Sequence, residues 1–187
     1  MELTTDIDHV FTRPAAVALG TFDGVHLGHR AVIEKAVAIA REEGLSPAVF
    51  TFSELPKNAF LPPEKRVWPL CSFPEKAELI ASLGVELLLA PPFTKQIASM
   101  PPEEFIVKVL IGRLKAKHVV CGYDHRFGAG GCGDAELLMR VCSLHGAAVT
   151  VIPPVTVNGE KVSSSRIRAL VERGCIETAR ELLGHEL

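Results

Sequence analysis

The chain lacks the features that mark membrane-spanning and exported proteins. No apolar run in its 187 residues approaches the roughly 20 residues that cross a bilayer. Residues 1–9 are acidic and polar rather than basic and then apolar, so they do not form a secretory signal. We therefore expect a cytoplasmic protein that does not interact with a membrane.

Clusters of positive charge are also missing. The 20 Lys and Arg residues are nearly balanced by 22 Asp and Glu residues, which leaves a formal net charge of −2. No block rich in Lys and Arg occurs, and this argues against a nucleic acid or an anionic membrane surface as partner. We expect small molecules as the binding partners.

No Cys-x-x-Cys pair occurs among the five cysteines, whose number is odd and whose spacing is wide. Such usage is typical of a reduced compartment. Cys142 and His145 share helical spacing and Cys132 lies upstream, but a second close pair of ligands is missing. We therefore predict no protein metal site and expect the thiols to be buried as small apolar side chains.

Short β-rich apolar runs alternate with longer helical segments along the whole chain. The apolar runs predict strands at residues 15–19, 48–52, 85–90, 118–121 and 148–152. Helical periodicity predicts helices at residues 27–43, 75–83, 102–114, 135–145, 164–173 and 176–183. This alternation predicts one α/β domain over residues 1–187 with a doubly wound parallel sheet, because parallel neighbours need crossover helices that cover both faces.

Such a sheet binds ligands beyond the carboxyl ends of its strands. The longest irregular stretch, residues 53–70, follows one of these predicted strand ends. It is either a mobile flap over a substrate or an ordinary surface loop.

The most informative motif follows the first predicted strand. The glycine-containing turn at residues 20–24 leads into a helix, whose N-terminus presents unpaired backbone N–H groups to an anion. His26 and His29 are three residues apart and lie on one side of this helix, and Gly28 between them leaves room for a ligand. The two imidazoles are predicted to hold one triphosphate; the alternative is a helix start with two solvent-exposed histidines.

The sequence His-Leu-Gly-His at residues 26–29 resembles the His-x-Gly-His signature of the nucleotidylyltransferase superfamily. Its members transfer a nucleotidyl group from a nucleoside triphosphate onto a phosphate and release pyrophosphate. In that superfamily the two histidines hold the phosphates and stabilise the charge that builds on the pentacoordinate phosphorus. The resemblance implies that His26 and His29 are catalytic.

Two later segments narrow the resemblance to one family. Residues 119–128 resemble the Gly-x-Asp-Phe-x-Phe-Gly segment of bacterial FAD synthetases, with His125 where the family usually has Phe. Residues 162–168 resemble their Ile-Ser-Ser-Thr-x-Ile-Arg segment, and residues 181–184 match the helix end that follows it. The chain is therefore similar to the FMN adenylyltransferase module of prokaryotic bifunctional riboflavin kinase/FAD synthetases.

The resemblance implies a Rossmann-like fold and transfer of AMP from ATP, accompanied by Mg²⁺, to the phosphate of FMN. The products are FAD and pyrophosphate. We expect the riboflavin kinase domain to be absent and a separate riboflavin kinase to supply FMN. Two alternatives stay open: a nucleotidylyltransferase for nicotinate mononucleotide or phosphopantetheine, and a non-catalytic nucleotide- or flavin-binding module.

The predicted ATP site combines the first turn with the start of a later helix. Its residues are Gly20, Thr21, Phe22, Asp23, Gly28, His29, Ser163, Ser164, Ser165 and Arg168. Gly20 is expected where a side chain would collide with the ligand. Asp23 is expected to form the turn, with orientation of a backbone amide or a contact with hydrated Mg²⁺ as alternatives.

The serines can cap the later helix and also bind phosphate oxygens. Arg166 and Arg168 are two positions apart and so point to different sides of that helix. Arg168 shares a face with Ser164 and Ser165 and matches the arginine of the family. We therefore expect Arg168 to be the third catalytic residue and Arg166 to be solvent-exposed.

The predicted flavin- and nucleoside-binding residues are Asp124, His125, Phe127 and Gly128. Asp124 can accept hydrogen bonds from a ribose or a base, or it caps the following turn. Phe127 and Gly128 can provide an aromatic face and close approach of the backbone to a ring system, although a core Phe is an alternative. His125 either packs where Phe would or places a polar ring against a different acceptor.

Three further histidines, His118, His145 and His185, show no pairing in the sequence, and we assign them no role.

Overall fold

A six-stranded parallel sheet forms the centre of the computed structural model, which describes residues 1–186; Leu187, the last residue of the predicted domain, lies outside the described residues. The strands are β1 (Glu2–Thr4), β2 (Ala15–Leu19), β3 (Ser46–Phe50), β4 (Leu87–Leu89), β5 (Ala116–Gly122) and β6 (Ala148–Ile152). Their order is β1–β4–β3–β2–β5–β6, and neighbouring strands are all parallel. The predicted doubly wound α/β sheet is confirmed.

Helices pack on both faces of this sheet. They are α1 (Leu27–Glu43), α2 (Phe73–Ser82), α3 (Lys95–Ala98), α4 (Pro102–Glu104), α5 (Ala135–Leu144), α6 (Ser164–Glu172) and α7 (Ile176–Leu183), and α4 continues into a π-helix at Phe105–Arg113. Val17 of β2 packs into one core with the π-helix and α5, whereas Ala18 packs into the other core with α1 and α2. No helix within residues 1–186 is both long and apolar enough to cross a membrane.

The predicted elements are found, and the largest differences have local causes. The strands at 15–19 and 148–152 and the helices at 27–43 and 176–183 have the predicted bounds, and most other ends shift by one or two residues. The strand predicted at 48–52 lies at Ser46–Phe50, because its pairing with β2 runs from Ala15 to Leu19. The predicted helix at 102–114 is α-helical only over Pro102–Glu104 and is a π-helix beyond it.

The sequence pattern does not predict β1 or the hairpin formed by β7 (Thr156–Val157) and β8 (Glu160–Lys161). The hairpin turns at Asn158 and Gly159, whose φ angles of 55° and 79° are both left-handed. Asn-Gly is the preferred dipeptide for a two-residue hairpin turn. The signal for this hairpin was therefore present in the sequence.

The expectation of buried thiols is wrong for two cysteines. Cys121 and Cys142 are buried, and burial raises the pKa of each thiol to about 11. Cys132 and Cys175 are exposed. Composition alone does not distinguish the two pairs, because burial depends on which side of an element faces the core.

Two of the histidines to which the sequence assigned no role, His118 and His185, have hydrogen-bond partners in the fold. His118 shares a 2.8 Å hydrogen bond with the Thr150 hydroxyl on the neighbouring strand. His185 donates from Nε2 to the carbonyl oxygen of Gly24 at 2.8 Å. Both partners are distant in the sequence, so spacing along the chain could not reveal them.

Candidate active site

The candidate site lies where the order of strands in the sheet reverses. From β2 the chain continues through α1 to β3 on one side, while β5 pairs with β2 on the other side. The crevice beyond the carboxyl ends of the strands at such a point is the usual ligand site of open α/β sheets. A cleft of about 480 Å³ opens there, between the turn after β2, the turn after β5 and the start of α6.

The turn after β2 contains backbone conformations that residues other than glycine rarely adopt. Phe22 and Val25 have left-handed φ angles of 47° and 39°. Both side chains are buried in the core, and this packing holds the turn in place. A Cβ atom at Gly20 would lie 2.8 Å from the Phe22 ring. The Phe22 ring is therefore one reason for a glycine at this position, and the expected collision with a ligand stays a prediction.

His26 caps the start of α1, and its ring stacks on that of His29. The Nδ1 of His26 accepts a hydrogen bond from the backbone N–H of His29 at 3.3 Å, and the ring centroids are 3.6 Å apart. His26 is only 5% exposed, so the alternative of two solvent-exposed histidines is wrong. A Cβ atom at Gly28 would lie 3.2 Å from the His26 ring, which explains the small residue between them.

Both imidazoles of this pair are neutral at neutral pH. Burial lowers the pKa of His26 to about 4. Burial, together with the neighbouring His26, also holds the pKa of His29 well below its ordinary value. The Nδ1 of His29 is shielded from solvent and has no partner within the described residues. The pair therefore presents hydrogen-bonding groups, rather than fixed positive charge, to the cleft.

Arg168 on α6 forms a buried ion pair with Asp23 of the first turn. The second carboxylate oxygen of Asp23 accepts from the backbone N–H of Leu70 at 2.9 Å. The Nε of Arg168 donates to the carbonyl oxygen of Trp68 at 2.8 Å, while its Nη1 has no partner among residues 1–186. The expected turn role of Asp23 is therefore incomplete, because its carboxylate also orients an amide and an arginine.

Three serines at the start of α6 line the same cleft. Ser163 is the N-cap, and its Oγ accepts from the backbone N–H three residues later. Ser164 donates from its hydroxyl to the carbonyl oxygen of Asp23 at 3.1 Å, whereas Ser165 is exposed. The start of α6 is thus fixed to the first turn by both a hydroxyl and the arginine described above.

The β7–β8 hairpin provides another wall of the cleft. Lys161 pairs with Asp124, which raises the pKa of the lysine, and its Nζ lies 4.7 Å from the centre of the Tyr123 ring. Arg166 pairs with Glu160 on the same hairpin and is half-buried. The expectation that Arg166 is exposed is wrong because the unpredicted hairpin packs against its helix.

A smaller cavity of about 200 Å³ adjoins the cleft. Its walls are largely aromatic and aliphatic and include Phe50, Phe52, Phe93, Ile97, Phe105 and Phe127. His125 lines both cavities, and its ring lies nearly parallel to that of Phe127, with centroids 5.9 Å apart. Gly128 also lines the smaller cavity, and a Cβ atom there would lie 2.7 Å from Pro102. The smaller cavity is thus mainly apolar, with the imidazole of His125 as a polar ring in its wall.

The irregular segment 53–70 borders the cleft and contains two short turns of 3-10 helix, at Pro56–Asn58 and Pro63–Lys65. Lys57 lines the cleft, and burial together with nearby Arg168 lowers its pKa. The end of the segment is tied to the site through the contacts of Leu70 and Trp68 with the buried ion pair. Movement of this segment as a flap stays a prediction.

Every predicted catalytic and ATP-binding residue lines the larger cleft, as do Asp124 and His125, while Phe127 and Gly128 line only the smaller cavity. Several charged and aromatic residues at the site were not predicted from the sequence. They are Lys57, Trp68, Tyr123, Arg126 and Lys161.

The two carboxylates that line the cleft are both paired with cations of the chain. The cleft thus offers donors to an anion rather than free carboxylates to a metal ion.

Comparison with known proteins identifies the family. The model of the FAD synthetase family matches residues 8–166. The chain is 36% identical over 174 residues to the FAD synthetase of Listeria monocytogenes, covering 93% of this chain and 70% of that protein. The chain belongs to the FAD synthetase family.

The chain is also similar to longer members of the FAD synthetase family. The chain is 38% identical over 181 residues to the bifunctional riboflavin kinase/FMN adenylyltransferase of Listeria monocytogenes, covering 97% of this chain. It spans 55% of that relative, or about half its length. The solved structure of a protein named as a macrolide-efflux protein from Streptococcus pneumoniae is 31% identical, with a TM-score of 0.86 over 98% of this chain and 61% of that chain. The two structures share one fold over nearly all of this chain.

Proposed function

We propose that this chain transfers AMP from Mg-ATP to the phosphate of FMN and releases FAD and pyrophosphate. The observation that carries the proposal is the convergence of the N-termini of α1 and α6 on one cleft that adjoins an aromatic cavity. Helix N-termini bind anions through unpaired N–H groups and the positive end of the helix dipole. The cleft suits the phosphates, and the aromatic cavity suits the flavin ring.

In the proposed reaction a phosphate oxygen of FMN attacks the α-phosphorus of ATP in line. The new P–O bond forms as the bond to pyrophosphate breaks. The second pKa of a phosphomonoester is about 6, so the nucleophile is ionised at neutral pH and needs no general base. The protein then contributes alignment of the reactants and stabilisation of the charge that develops.

The geometry gives His26 and Arg168 distinct roles in that stabilisation. Since Nδ1 of neutral His26 accepts a hydrogen bond, its proton is on Nε2, which is then a donor for a phosphate oxygen. Arg168 adds a cation whose Nη1 has no partner within the described residues. His29 stacks on His26 and supplies a second neutral donor to the same phosphates.

Magnesium enters this scheme as part of the ATP complex. Asp23 and Asp124 are paired with Arg168 and Lys161, so we expect phosphate oxygens and water to provide most of the metal ligands. We further propose that the protein acts on these small molecules in the cytoplasm.

A second candidate acceptor is favoured by His125. Its polar ring in the wall of the aromatic cavity would also suit a smaller heterocycle such as that of nicotinate mononucleotide. We rank this candidate below FMN because the remaining walls of that cavity are extensively aromatic.

The test is product formation by the purified chain with Mg-ATP and one acceptor at a time: FMN, riboflavin, nicotinate mononucleotide or phosphopantetheine. Pyrophosphate is followed continuously, and flavins are separated by chromatography. We expect equal amounts of FAD and pyrophosphate with FMN alone. Pyrophosphate with another acceptor would replace the substrate, and none with any acceptor would favour a non-catalytic binding module.

A further inference from the structure

His125 places an imidazole at the junction of the cleft and the aromatic cavity. Its Nε2 is shielded from solvent and has no hydrogen-bond partner among the described residues. A polar atom that has lost water without gaining a partner is unfavourable for the folded chain. The stacking with Phe127 uses only the flat face of the ring, which a phenylalanine would supply equally well. No contact within the described residues therefore accounts for a nitrogen at this position.

We propose that His125 is a specificity-determining residue whose imidazole forms a hydrogen bond with the polar pyrimidine edge of the flavin ring. This inference rests on the proposed function. The isoalloxazine ring has an apolar dimethylbenzene edge opposite an edge of alternating C=O and N–H groups. Phe50, Phe52 and Phe93 in the aromatic cavity suit the apolar edge. With that edge inserted, the polar edge faces the junction where His125 lies.

The protonation state of His125 fits this partner. Burial lowers the pKa of the imidazole to about 4, so the ring is neutral at neutral pH. A neutral imidazole has one N–H donor and one acceptor nitrogen, and both kinds of partner occur along the pyrimidine edge. A half-turn about the Cβ–Cγ bond exchanges the positions of Nε2 and Cε1. The nitrogen can therefore be redirected without movement of the backbone.

Three variants of the same position separate hydrogen bonding from packing. In His125→Gln the amide reaches about as far as Nε2, in His125→Asn it reaches about as far as Nδ1, and His125→Phe keeps only the flat ring. FMN binding is measured by quenching of flavin fluorescence with a non-hydrolysable ATP analogue present. KM values for FMN and ATP and kcat are measured by FAD formation, and the thermal midpoint reports folding.

We expect His125→Phe and His125→Asn to raise the Kd and KM for FMN about tenfold, and His125→Gln to raise them less than about threefold. The KM for ATP should not change. N3-methyl-FMN should bind the wild type more weakly than FMN does, and it should bind His125→Phe as well as FMN does. If His125→Phe fails to fold, the comparison of Gln with Asn still decides.

The opposite ranking would overturn the inference. If the imidazole only packs, His125→Phe retains the wild-type affinity for FMN, and His125→Gln loses thermal stability. Equal losses in all three variants would also overturn it. Failure of the wild type to form FAD would instead remove the proposed function, so the two failures are distinguishable.

Discussion

The two helix starts that face the cleft carry different groups with which to bind the phosphates of the proposed reaction. At α1 the cap and its neighbour are stacked, neutral imidazoles. At α6 serine hydroxyls accompany a buried guanidinium whose charge is already balanced by Asp23. The imidazoles add no positive charge at the start of α1, and Asp23 balances the charge of Arg168 at the start of α6. Under the proposed function, recognition of phosphate at this cleft would depend on directed donors as well as on charge.

The largest effect should come from removing the buried ion pair at the start of α6. Asp23→Ala leaves the Arg168 guanidinium buried without its counter-charge, and the free energy of unfolding should fall by about 3–5 kcal/mol. Urea unfolding measures the loss. The matched control is Asp8→Ala, which breaks an ion pair of an exposed aspartate with Arg113 and should change the free energy by less than about 1 kcal/mol. Similar losses in the two variants would contradict the importance of the buried pair.

The pair of neutral histidines at the start of α1 should contribute more to turnover than to the stability of the fold. His29→Ala removes one donor to the phosphates and should lower kcat about 10²- to 10³-fold, as expected for loss of one donor to a developing charge. FAD formation at saturating substrates measures kcat, and the thermal midpoint should stay close to that of the wild type. His145→Ala, at an exposed position that does not line the cleft, serves as control. An unchanged kcat in His29→Ala would exclude the histidine from the mechanism.

Acid should destabilise the start of α1, because burial lowers the pKa of both of its imidazoles. His26 has a pKa of about 4 in the folded chain but about 6.5 when unfolded, so the unfolded state binds more protons between these values. The free energy of unfolding should therefore fall as the pH drops from 6.5 to 4, on the order of 2 kcal/mol for this histidine. Urea titrations at several pH values measure the slope. In His26→Ala the slope should be shallower, and an identical slope would contradict the assignment.

The smallest effect concerns the Ser164 hydroxyl, which joins the start of α6 to the turn after β2. Ser164→Ala removes the hydrogen bond to the Asp23 carbonyl oxygen and should lower the free energy of unfolding by about 1 kcal/mol. Ser165→Ala, at an exposed position one residue later, should change it by less than about 0.5 kcal/mol. Chemical denaturation of both variants provides the comparison. Equal changes would show that Ser164 contributes no more than an exposed serine does.

Local patterns were sufficient to predict most of the framework. The uniformly apolar β2 and the amphipathic α1 have the bounds that their sequences indicate, since strand burial and helical periodicity are properties of neighbouring residues. The positions of the motifs at strand ends then followed from the parallel sheet. This is why the residues of the turn after β2 and of the turn after β5 line one cleft.

Features that depend on distant partners could not be predicted in this way. The pairing of Asp23 with Arg168 and the bond from Arg168 to the Trp68 carbonyl oxygen join separate parts of the chain. The Phe22 ring leaves no room for a side chain at Gly20, and only the folded turn reveals this contact. The Asn158–Gly159 turn is different, because its dipeptide signal was readable and identifies the hairpin that carries Lys161.

The ion pair between Asp23 and Arg168 also has a consequence for the order in which the chain folds. Its two residues are 145 positions apart, so closing this contact restricts a long segment of backbone. A ribosome releases the N-terminal residues first, and the turn that contains Asp23 emerges long before α6 exists. Until residue 168 has been synthesised and has docked, the nascent chain has only part of the cleft that is proposed to bind phosphates. Retention on immobilised ATP would then report the arrival of α6, and ribosome-bound chains of increasing length would acquire it in one late step.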